Sequence, residues 1–205
     1  MPLGEPELQR KPKPQGRPTL GISSSLVKPQ KTLVTGGVRS GKSRFAEQLV
    51  TEHPHVTYLA PGQRPDPVAD PEWAARIALH QARRPAAWTT VETVRLAEAV
   101  AAAEPPLLVD CLGTWLTAVV DQLGTWDVPL PEWQSAFDEQ LGDLVTAWRG
   151  VSGIAVAVTN EVGMGLVSEH RSGRVFTDLL GRTNQAVGAV SDQVVLVVAG
   201  RALYL

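Results

Sequence analysis

The sequence predicts an α/β protein built on a mostly parallel sheet, with helices on both faces and an antiparallel strand at the C-terminal edge. Short apolar runs alternate with amphipathic segments from residue 32 onward, which is the pattern of a parallel sheet covered by helices. The run at 106–111, PLLVDC, is apolar on both faces, as a central parallel strand is. A glycine-rich turn stands between the first strand and the first helix.

Strands are predicted where apolar residues alternate with polar ones or form short continuous runs. Helices are predicted where apolar residues recur every three or four positions. Asp70-Pro71 predicts a helix start, because an N-cap oxygen is followed by a proline whose missing N–H costs nothing there. The predicted strands are 32–36, 55–60, 87–92, 106–111, 153–160 and 193–200, with RALYL (201–205) returning antiparallel through Gly200. The predicted helices are 42–52, 72–81, 93–103, 115–123, 131–148 and 173–191.

The first 31 residues differ in composition from the remainder. They hold six of the 16 prolines and six Lys/Arg against two acidic residues. Such a segment cannot bury enough apolar area to offset its ordering entropy, so we expect a disordered basic extension at 1–31 and one folded domain at 32–205. A basic arm can bind a partner or simply be solvated, and its composition favours the second.

Charge, hydropathy and cysteine content limit the partners and the location expected for the chain. The net charge of −2 does not favour nucleic acid or an anionic membrane. No apolar run reaches the roughly 18 to 20 residues of a membrane span, and the N-terminal stretch lacks the apolar core of a secretory signal. The single cysteine, Cys111, cannot form an internal disulfide, so we expect a cytoplasmic protein. We also expect this cysteine to be a small buried side chain rather than a nucleophile.

The glycine-rich turn fits the P-loop motif G-x-x-x-x-G-K-[ST] in the strand-to-helix context that the motif requires. In such a loop backbone N–H groups and the helix N-terminus bind phosphate oxygens. Lys42 is placed to reach the β- and γ-phosphates, and the Ser43 hydroxyl to bind Mg²⁺. The residues predicted to bind nucleotide here are Gly36, Gly37, Val38, Arg39, Ser40, Gly41, Lys42 and Ser43. The sequence therefore predicts a P-loop NTPase fold.

Asp110 lies near the carboxyl end of the apolar strand 106–111. Ligands of open parallel sheets bind at the carboxyl ends of the strands, which makes this carboxylate the natural second Mg²⁺ ligand beside Ser43. An aspartate that only caps the following helix is the alternative.

A segment after the second predicted strand concentrates basic residues around a histidine. His80 is four positions from Arg76 on a predicted helix and is followed by Arg83 and Arg84. An imidazole among guanidinium groups suits a general base or a nucleophile towards phosphorus. A surface histidine beside arginines that bind carboxylates fits the spacing as well.

The segment VTNEVGMGLVSEHRSGRVFTDLLGRTNQ follows the fifth predicted strand. Asn160, Glu161, Gly163 and Gly165 form a polar, flexible turn at its start, which is either a substrate contact or a plain glycine-rich connection.

These segments together resemble one enzyme family. LVTGGVRSGKS, RIALHQARRPAAW, LVDCLGTWLT and the long segment after strand five, in this order over residues 32–205, are similar to the bifunctional adenosylcobinamide kinase / adenosylcobinamide-phosphate guanylyltransferases of cobalamin biosynthesis. The resemblance implies a recombinase-type ATPase core and a homo-oligomer, specifically a trimer. It also implies GTP and ATP as substrates beside adenosylcobinamide, with Mg²⁺ as cofactor.

The same resemblance assigns roles to residues. His80 matches the histidine that carries GMP, so His80 and Lys42 become the catalytic candidates, and the surface alternative for His80 recedes. A guanylyltransferase without the kinase step, or a GTP-binding regulatory module without turnover, remains the alternative function. The further nucleotide-binding candidates are Leu59, Ala60, Pro61, Gln81, Ala82, Arg83, Arg84, Glu92 and Asp110.

Three positions depart from the family pattern. Pro61 and Gly113 stand where the resemblance leads us to expect threonine, and Trp73 stands where it leads us to expect methionine. The longer, proline-rich loop after residue 60 leaves the contacts of that loop open.

Overall fold

The computed structural model describes residues 30–62 and 67–205 of the chain. The tail predicted to be disordered lies, up to residue 29, outside the described residues, and so does part of the proline-rich loop, at 63–66. Within the described ranges the strands are β1 (Lys31–Thr35), β2 (Thr57–Pro61), β3 (Thr89–Thr93), β4 (Leu107–Asp110), β5 (Ala155–Val158), β6 (Gln193–Val198) and β7 (Arg201–Tyr204).

The strands form one sheet in the order β3-β2-β4-β5-β1-β6-β7. All neighbouring pairs are parallel except β6 and β7. The mostly parallel sheet and its antiparallel C-terminal edge are therefore confirmed. The hairpin turns at Ala199 and Gly200, both of which have positive φ, in keeping with the return predicted through Gly200.

Helices connect the parallel strands and cover both faces of the sheet, as predicted. Four of the helices pack against one face of the sheet and form with it the larger of two hydrophobic cores. The first helix packs against the other face, around Ala46 and Val50. The helices of the described residues are α1 (Lys42–Val50), α2 (Pro71–Ala82), α3 (Leu96–Ala102), α4 (Leu112–Leu123), α5 (Leu130–Gly150) and α6 (Arg171–Gly188). Within the described parts of the chain, no helix has both the length and the apolar character of a bilayer span.

Helix α2 starts where the sequence predicts. The Asp70 carboxylate accepts a hydrogen bond from the Trp73 N–H at 2.9 Å, and Pro71 occupies the first turn. None of the α2 side chains that the structure describes is fully buried. The side chain of Arg76 lies outside the described residues, so the predicted common face of Arg76 and His80 stays a prediction.

The predicted helix 93–103 is too long at its start. Thr93 belongs to β3, where it pairs with Pro61 of β2. Its hydroxyl then accepts a hydrogen bond from the Arg95 N–H at 3.1 Å. This local bond holds the chain in a turn, so the helix begins only at Leu96.

Leu116 tests the larger core. Its side chain is fully buried on α4, so Leu116→Ala removes packed methyl groups and leaves a cavity that its neighbours fill only in part. We expect the free energy of unfolding to fall by about 2–5 kcal/mol in urea denaturation. The matched control is Leu166→Ala, because Leu166 is 102% exposed. Equal losses in the two variants would contradict this description of the core.

Candidate active site

The strand order brings three chain segments to one edge of the sheet. Val158 of β5 pairs with Val34 of β1 on one side and with Asp110 of β4 on the other. Because neighbouring strands lie about 4.8 Å apart, the Asp110 backbone is about 10 Å from the strand that enters the P-loop. The turn after β5 leaves the sheet between them.

The loop between β1 and α1 requires glycine at its first position. A Cβ at Gly36 would lie 2.5 Å from the Val197 carbonyl oxygen and 2.7 Å from Ser40 Oγ. Gly41, which precedes α1, has a φ of 95°, in the left-handed region that favours glycine. The ammonium group of Lys42 donates to the Gly37 carbonyl at 3.2 Å. The lysine thus folds back over the loop.

Two neighbours brace this loop from either side. The Gly200 N–H, in the β6–β7 turn, donates to the Ser40 carbonyl at 2.8 Å. The Glu161 N–H, in the turn after β5, donates to the Gly36 carbonyl at 3.0 Å. The C-terminal hairpin and the β5 turn therefore fix the loop from both sides.

His80 and Asp110 lie side by side at this edge. The nearest contact, from Nδ1 of His80 to Oδ2 of Asp110, is 3.7 Å, longer than a hydrogen bond. Burial lowers the pKa of His80 below its ordinary value; the Asp110 carboxylate opposes this shift and the Arg83 guanidinium adds to it. The imidazole is therefore neutral at pH 7, with a lone pair on one ring nitrogen.

Arginine side chains fix the C-terminal end of α2 to its surroundings. Arg83 lies 3.3 Å from Nδ1 of His80 and donates to Glu47 of α1 at 3.1 Å. Arg84 stacks on the Tyr58 ring, with its guanidinium carbon 3.5 Å from the ring centre, and donates to Thr90 at 3.2 Å. These contacts tie α2 to α1, β2 and β3, although the helix buries little apolar surface.

A cavity of about 400 Å³ opens beside this cluster. Its volume is within the range of small-molecule sites. Across it, Gln81 donates to the Glu92 carboxylate at 3.4 Å. The lining residues are Gln81, Arg84, Pro85, Ala86, Trp88, Thr90 and Glu92, three of which are sequence-predicted nucleotide contacts.

The remaining predicted residues are less closely gathered. The Leu59 side chain is buried in the larger core, on the opposite face of the sheet from Tyr58, so it does not reach the cluster. Ala60 and Pro61 stand at the carboxyl end of β2, and Ala82 is exposed at the end of α2. Val38 and Arg39 are exposed at the loop tip, and Ser43 is half-buried in the first turn of α1.

Asn184 fixes the turn after β5. The Thr159 hydroxyl donates to the Asn184 side-chain oxygen at 2.6 Å, and the Asn184 amide donates to the Asn160 carbonyl at 3.0 Å. Thr159 is fully buried, so this bond satisfies a hydroxyl that would otherwise be costly. The glycine-rich turn is therefore anchored at its base.

Four residues of this arrangement were not predicted from the sequence. They are Tyr58, which contacts Asp110, Glu47, which contacts Arg83, Thr90, which contacts Arg84, and Asn184, which contacts Asn160. For Tyr58 one signal was available, because a buried tyrosine hydroxyl usually finds a partner. No spacing in the sequence names that partner.

Cys111 follows Asp110 directly. Burial raises the pKa of its thiol, and the neighbouring Asp110 charge raises it further. The group is therefore a thiol at neutral pH, in keeping with the structural role predicted for it.

Comparison with known proteins identifies the family of this chain. The model of the family described as CobU, cobinamide kinase / cobinamide phosphate guanyltransferase, matches residues 32–205. The chain belongs to this family.

Relatives and solved structures extend the comparison. The bifunctional adenosylcobalamin biosynthesis protein CobU of Salmonella typhimurium is 42% identical and is matched over 95% of its length, by 82% of this chain. Its Escherichia coli counterpart is 40% identical, with the same shares covered. An ATPase of a bacterial type III secretion system has a TM-score of 0.49 at 16% identity, over 82% of this chain and 50% of that one. A likeness at that level carries no inference about function.

Gly113, which stands where the CobU family leads us to expect threonine, lies next to the turn after β5. A Cβ at Gly113 would lie 3.2 Å from the Asn160 amide nitrogen and 3.7 Å from Cys111 Sγ. Glycine therefore allows the side chain of Asn160 to lie close against the start of α4. A threonine here would require Asn160 to shift.

Gly36 tests the geometry of the P-loop. In Gly36→Ala the added methyl group must displace either the Val197 carbonyl or the Ser40 side chain. We expect the nucleotide-free protein to lose about 1–3 kcal/mol of unfolding free energy in urea denaturation. Gly37→Ala is the matched control, because a Cβ at Gly37 meets nothing within 4 Å. A Gly36→Ala protein as stable as the control would refute this account of the loop.

Proposed function

We propose that this chain catalyses two successive reactions. ATP or GTP phosphorylates the aminopropanol hydroxyl of adenosylcobinamide, and GTP then donates GMP to that phosphate, giving adenosylcobinamide-GDP and pyrophosphate. The observation that carries the proposal is the His80 ring beside Asp110 at the edge where the P-loop lies. The loop by itself supports triphosphate binding; a neutral imidazole at the same edge of the sheet supports covalent chemistry.

The nucleotide would span the P-loop and the cavity beside α2. Loop N–H groups and Lys42 meet the phosphates. The Ser40 hydroxyl, buried and without a hydrogen-bond partner among the described residues, is a further donor. Glu92 in the cavity favours guanine, because a carboxylate accepts hydrogen bonds from the N1–H and the amino group of that base. Adenine does not present this donor pair.

In the kinase reaction the substrate hydroxyl oxygen attacks the γ-phosphorus. The bond from that phosphorus to the bridging oxygen breaks, the nucleoside diphosphate leaves, and the hydroxyl proton is released. Phosphoryl transfer of this kind is catalysed mainly by positioning and by charge. Lys42, which caps the loop through Gly37, supplies a positive charge next to the transferred group.

In the guanylyl transfer an imidazole nitrogen is the nucleophile. Attack on the α-phosphorus through the Nε2 lone pair requires the tautomer of His80 with its proton on Nδ1, which faces Asp110, so the Arg83 guanidinium, which can only donate, leaves Nδ1 in the reactive state. A P–N bond forms, the α–β bridging P–O bond breaks, and pyrophosphate leaves with the bond electrons. The ring becomes cationic, and the Asp110 carboxylate near Nδ1 stabilises that charge.

The second half-reaction releases the histidine. A phosphate oxygen of adenosylcobinamide phosphate attacks the same phosphorus, the P–N bond breaks, and its electron pair returns to Nε2. His80 regains its neutral form without an external base. A phosphoramidate is reactive enough for this transfer.

The residues at the edge fit Mg²⁺. Ser43 and Asp110 offer hard oxygen atoms, and both contacts of the Asp110 carboxylate that the structure records use Oδ2, so Oδ1 can serve as a ligand. Groups of three His, Cys, Asp or Glu side chains that could enclose an ion are absent from the described residues. Phosphate and water would complete the shell, as is usual for Mg²⁺. The ion would offset phosphate charge.

Covalent labelling tests the proposal. Protein incubated with Mg²⁺ and GTP labelled in the α-phosphate should retain acid-labile, alkali-stable label. GTP labelled in the γ-phosphate should leave none, because that phosphate departs with pyrophosphate. His80→Ala should abolish the label, whereas the control His170→Ala should retain it, because His170 is exposed at the start of α6.

The kinase reaction supplies the internal control. His80→Ala should still transfer phosphate from ATP to adenosylcobinamide, which shows that the variant is folded and binds nucleotide. Label that persists in His80→Ala would remove this residue from the mechanism. If the parent protein does not phosphorylate adenosylcobinamide, the chain is a guanylyltransferase without the kinase step. If it binds GTP but shows neither label nor turnover, it is a regulatory module.

The chain is further proposed to assemble as a homotrimer. The family resemblance supports this, as do apolar side chains exposed on and beside the edge strand β7: Val198, Leu203, Tyr204 and Leu205. Unpaired strand edges with exposed apolar residues favour association. Light scattering should give about three times the chain mass; a monomer mass at micromolar concentration would contradict the assembly.

A further inference from the structure

Tyr58 lies between the two halves of the site. Its side chain is 1% exposed, and its hydroxyl donates to Oδ2 of Asp110 at 3.0 Å. The face of its ring carries the Arg84 guanidinium, 3.5 Å from the ring centre. One residue of β2 therefore contacts both the carboxylate beside His80 and an arginine of the cavity.

The Tyr58 hydroxyl donates its hydrogen bond to the Asp110 oxygen that faces His80. Tyr58 pairs with Leu108 across the sheet, and Asp110, two residues further along β4, points to the same face. The hydrogen bond and the 3.7 Å approach of His80 Nδ1 use the same atom, Oδ2. The Asp110 side chain is only 8% exposed, so water contributes little to orienting it.

The ring acts on Arg84. The Nε atom of Arg84 is buried without a hydrogen-bond partner among the residues that the structure describes. Its terminal nitrogen donates to Thr90 at 3.2 Å. The stacked Tyr58 ring is thus a main support of this guanidinium, which lines the cavity beside Gln81 and Glu92.

We propose that Tyr58 is a positioning residue for guanylyl transfer, whose hydroxyl holds Asp110 against His80 and whose ring holds Arg84 at the nucleotide cavity. The inference rests on the proposed function, since it assigns Tyr58 to the reaction of His80. The two contacts predict separable effects: the hydroxyl acts on the rate of GMP transfer, and the ring acts on nucleotide binding.

A packing role makes a different prediction. Tyr58 belongs to the smaller core with Val34, Leu108 and Val158. If packing were its only contribution, phenylalanine would replace it without loss of activity, because the two rings have the same shape.

The test measures single-turnover GMP–protein formation over a range of GTP concentrations. Tyr58→Phe should lower the maximal rate about tenfold or more, because a hydrogen bond to a charged group is lost. Its half-saturating GTP concentration should stay within about twofold of the parent, since the Arg84 platform remains. Tyr58→Leu should lower the rate and also weaken binding of a non-hydrolysable GTP analogue. The control is His170→Ala, because His170 is exposed at the start of α6; this variant should behave as the parent.

A double-mutant cycle with Asp110→Asn separates positioning from general damage. If the hydroxyl acts through the carboxylate, Tyr58→Phe should lower the rate in the parent but have little further effect in Asp110→Asn. An equal loss in both backgrounds, an unchanged rate in Tyr58→Phe, or a raised half-saturating concentration in that variant would each overturn the inference. Absence of label in the parent protein would instead refute the proposed function.

Discussion

The arrangement at the sheet edge depends on one constraint, the pairing of β5 with both β1 and β4. Val158 of β5 is in register with Val34 of β1 on one side and with Asp110 of β4 on the other. A single strand therefore separates the strand that enters the P-loop from the Asp110 carboxylate. Backbone hydrogen bonds within the buried sheet fix this distance, and no side chain of the site has to set it. The phosphate-binding loop and the acidic group are therefore held before any ligand arrives.

The histidine is held by weaker means. Helix α2 has no fully buried side chain among those described, so its position relative to the sheet depends on polar contacts at its C-terminal end. Arg83 with Glu47 and Arg84 with Tyr58 supply them. A rigid sheet edge that carries the P-loop is thus combined with the proposed nucleophile on a lightly anchored helix. In the proposed reaction, movement of α2 would let His80 approach the α-phosphorus and withdraw from it between the two half-reactions.

Much of this could be predicted from the chain itself. The alternation of apolar runs predicts the parallel sheet, and Gly200 predicts the final hairpin. The P-loop motif indicates where phosphate is expected to bind, which stays a prediction. Strand order could not be predicted, because adjacency of β2 to β4 rather than to β1 is a property of the whole sheet. The contacts of Tyr58 with Asp110, and of Arg83 with Glu47, depend on that order. His80 spacing left a surface role open, and only family resemblance gave it a role in catalysis.

The most direct test of the account is the structure of the protein with Mg²⁺ and a GTP analogue whose α–β bridging oxygen is replaced by a methylene group. We expect Nε2 of His80 to lie about 3–3.5 Å from the α-phosphorus, opposite the bridging group, with Nδ1 directed at Asp110. A nucleotide on the P-loop with its α-phosphorus out of reach of His80, in every copy of the chain, would contradict it.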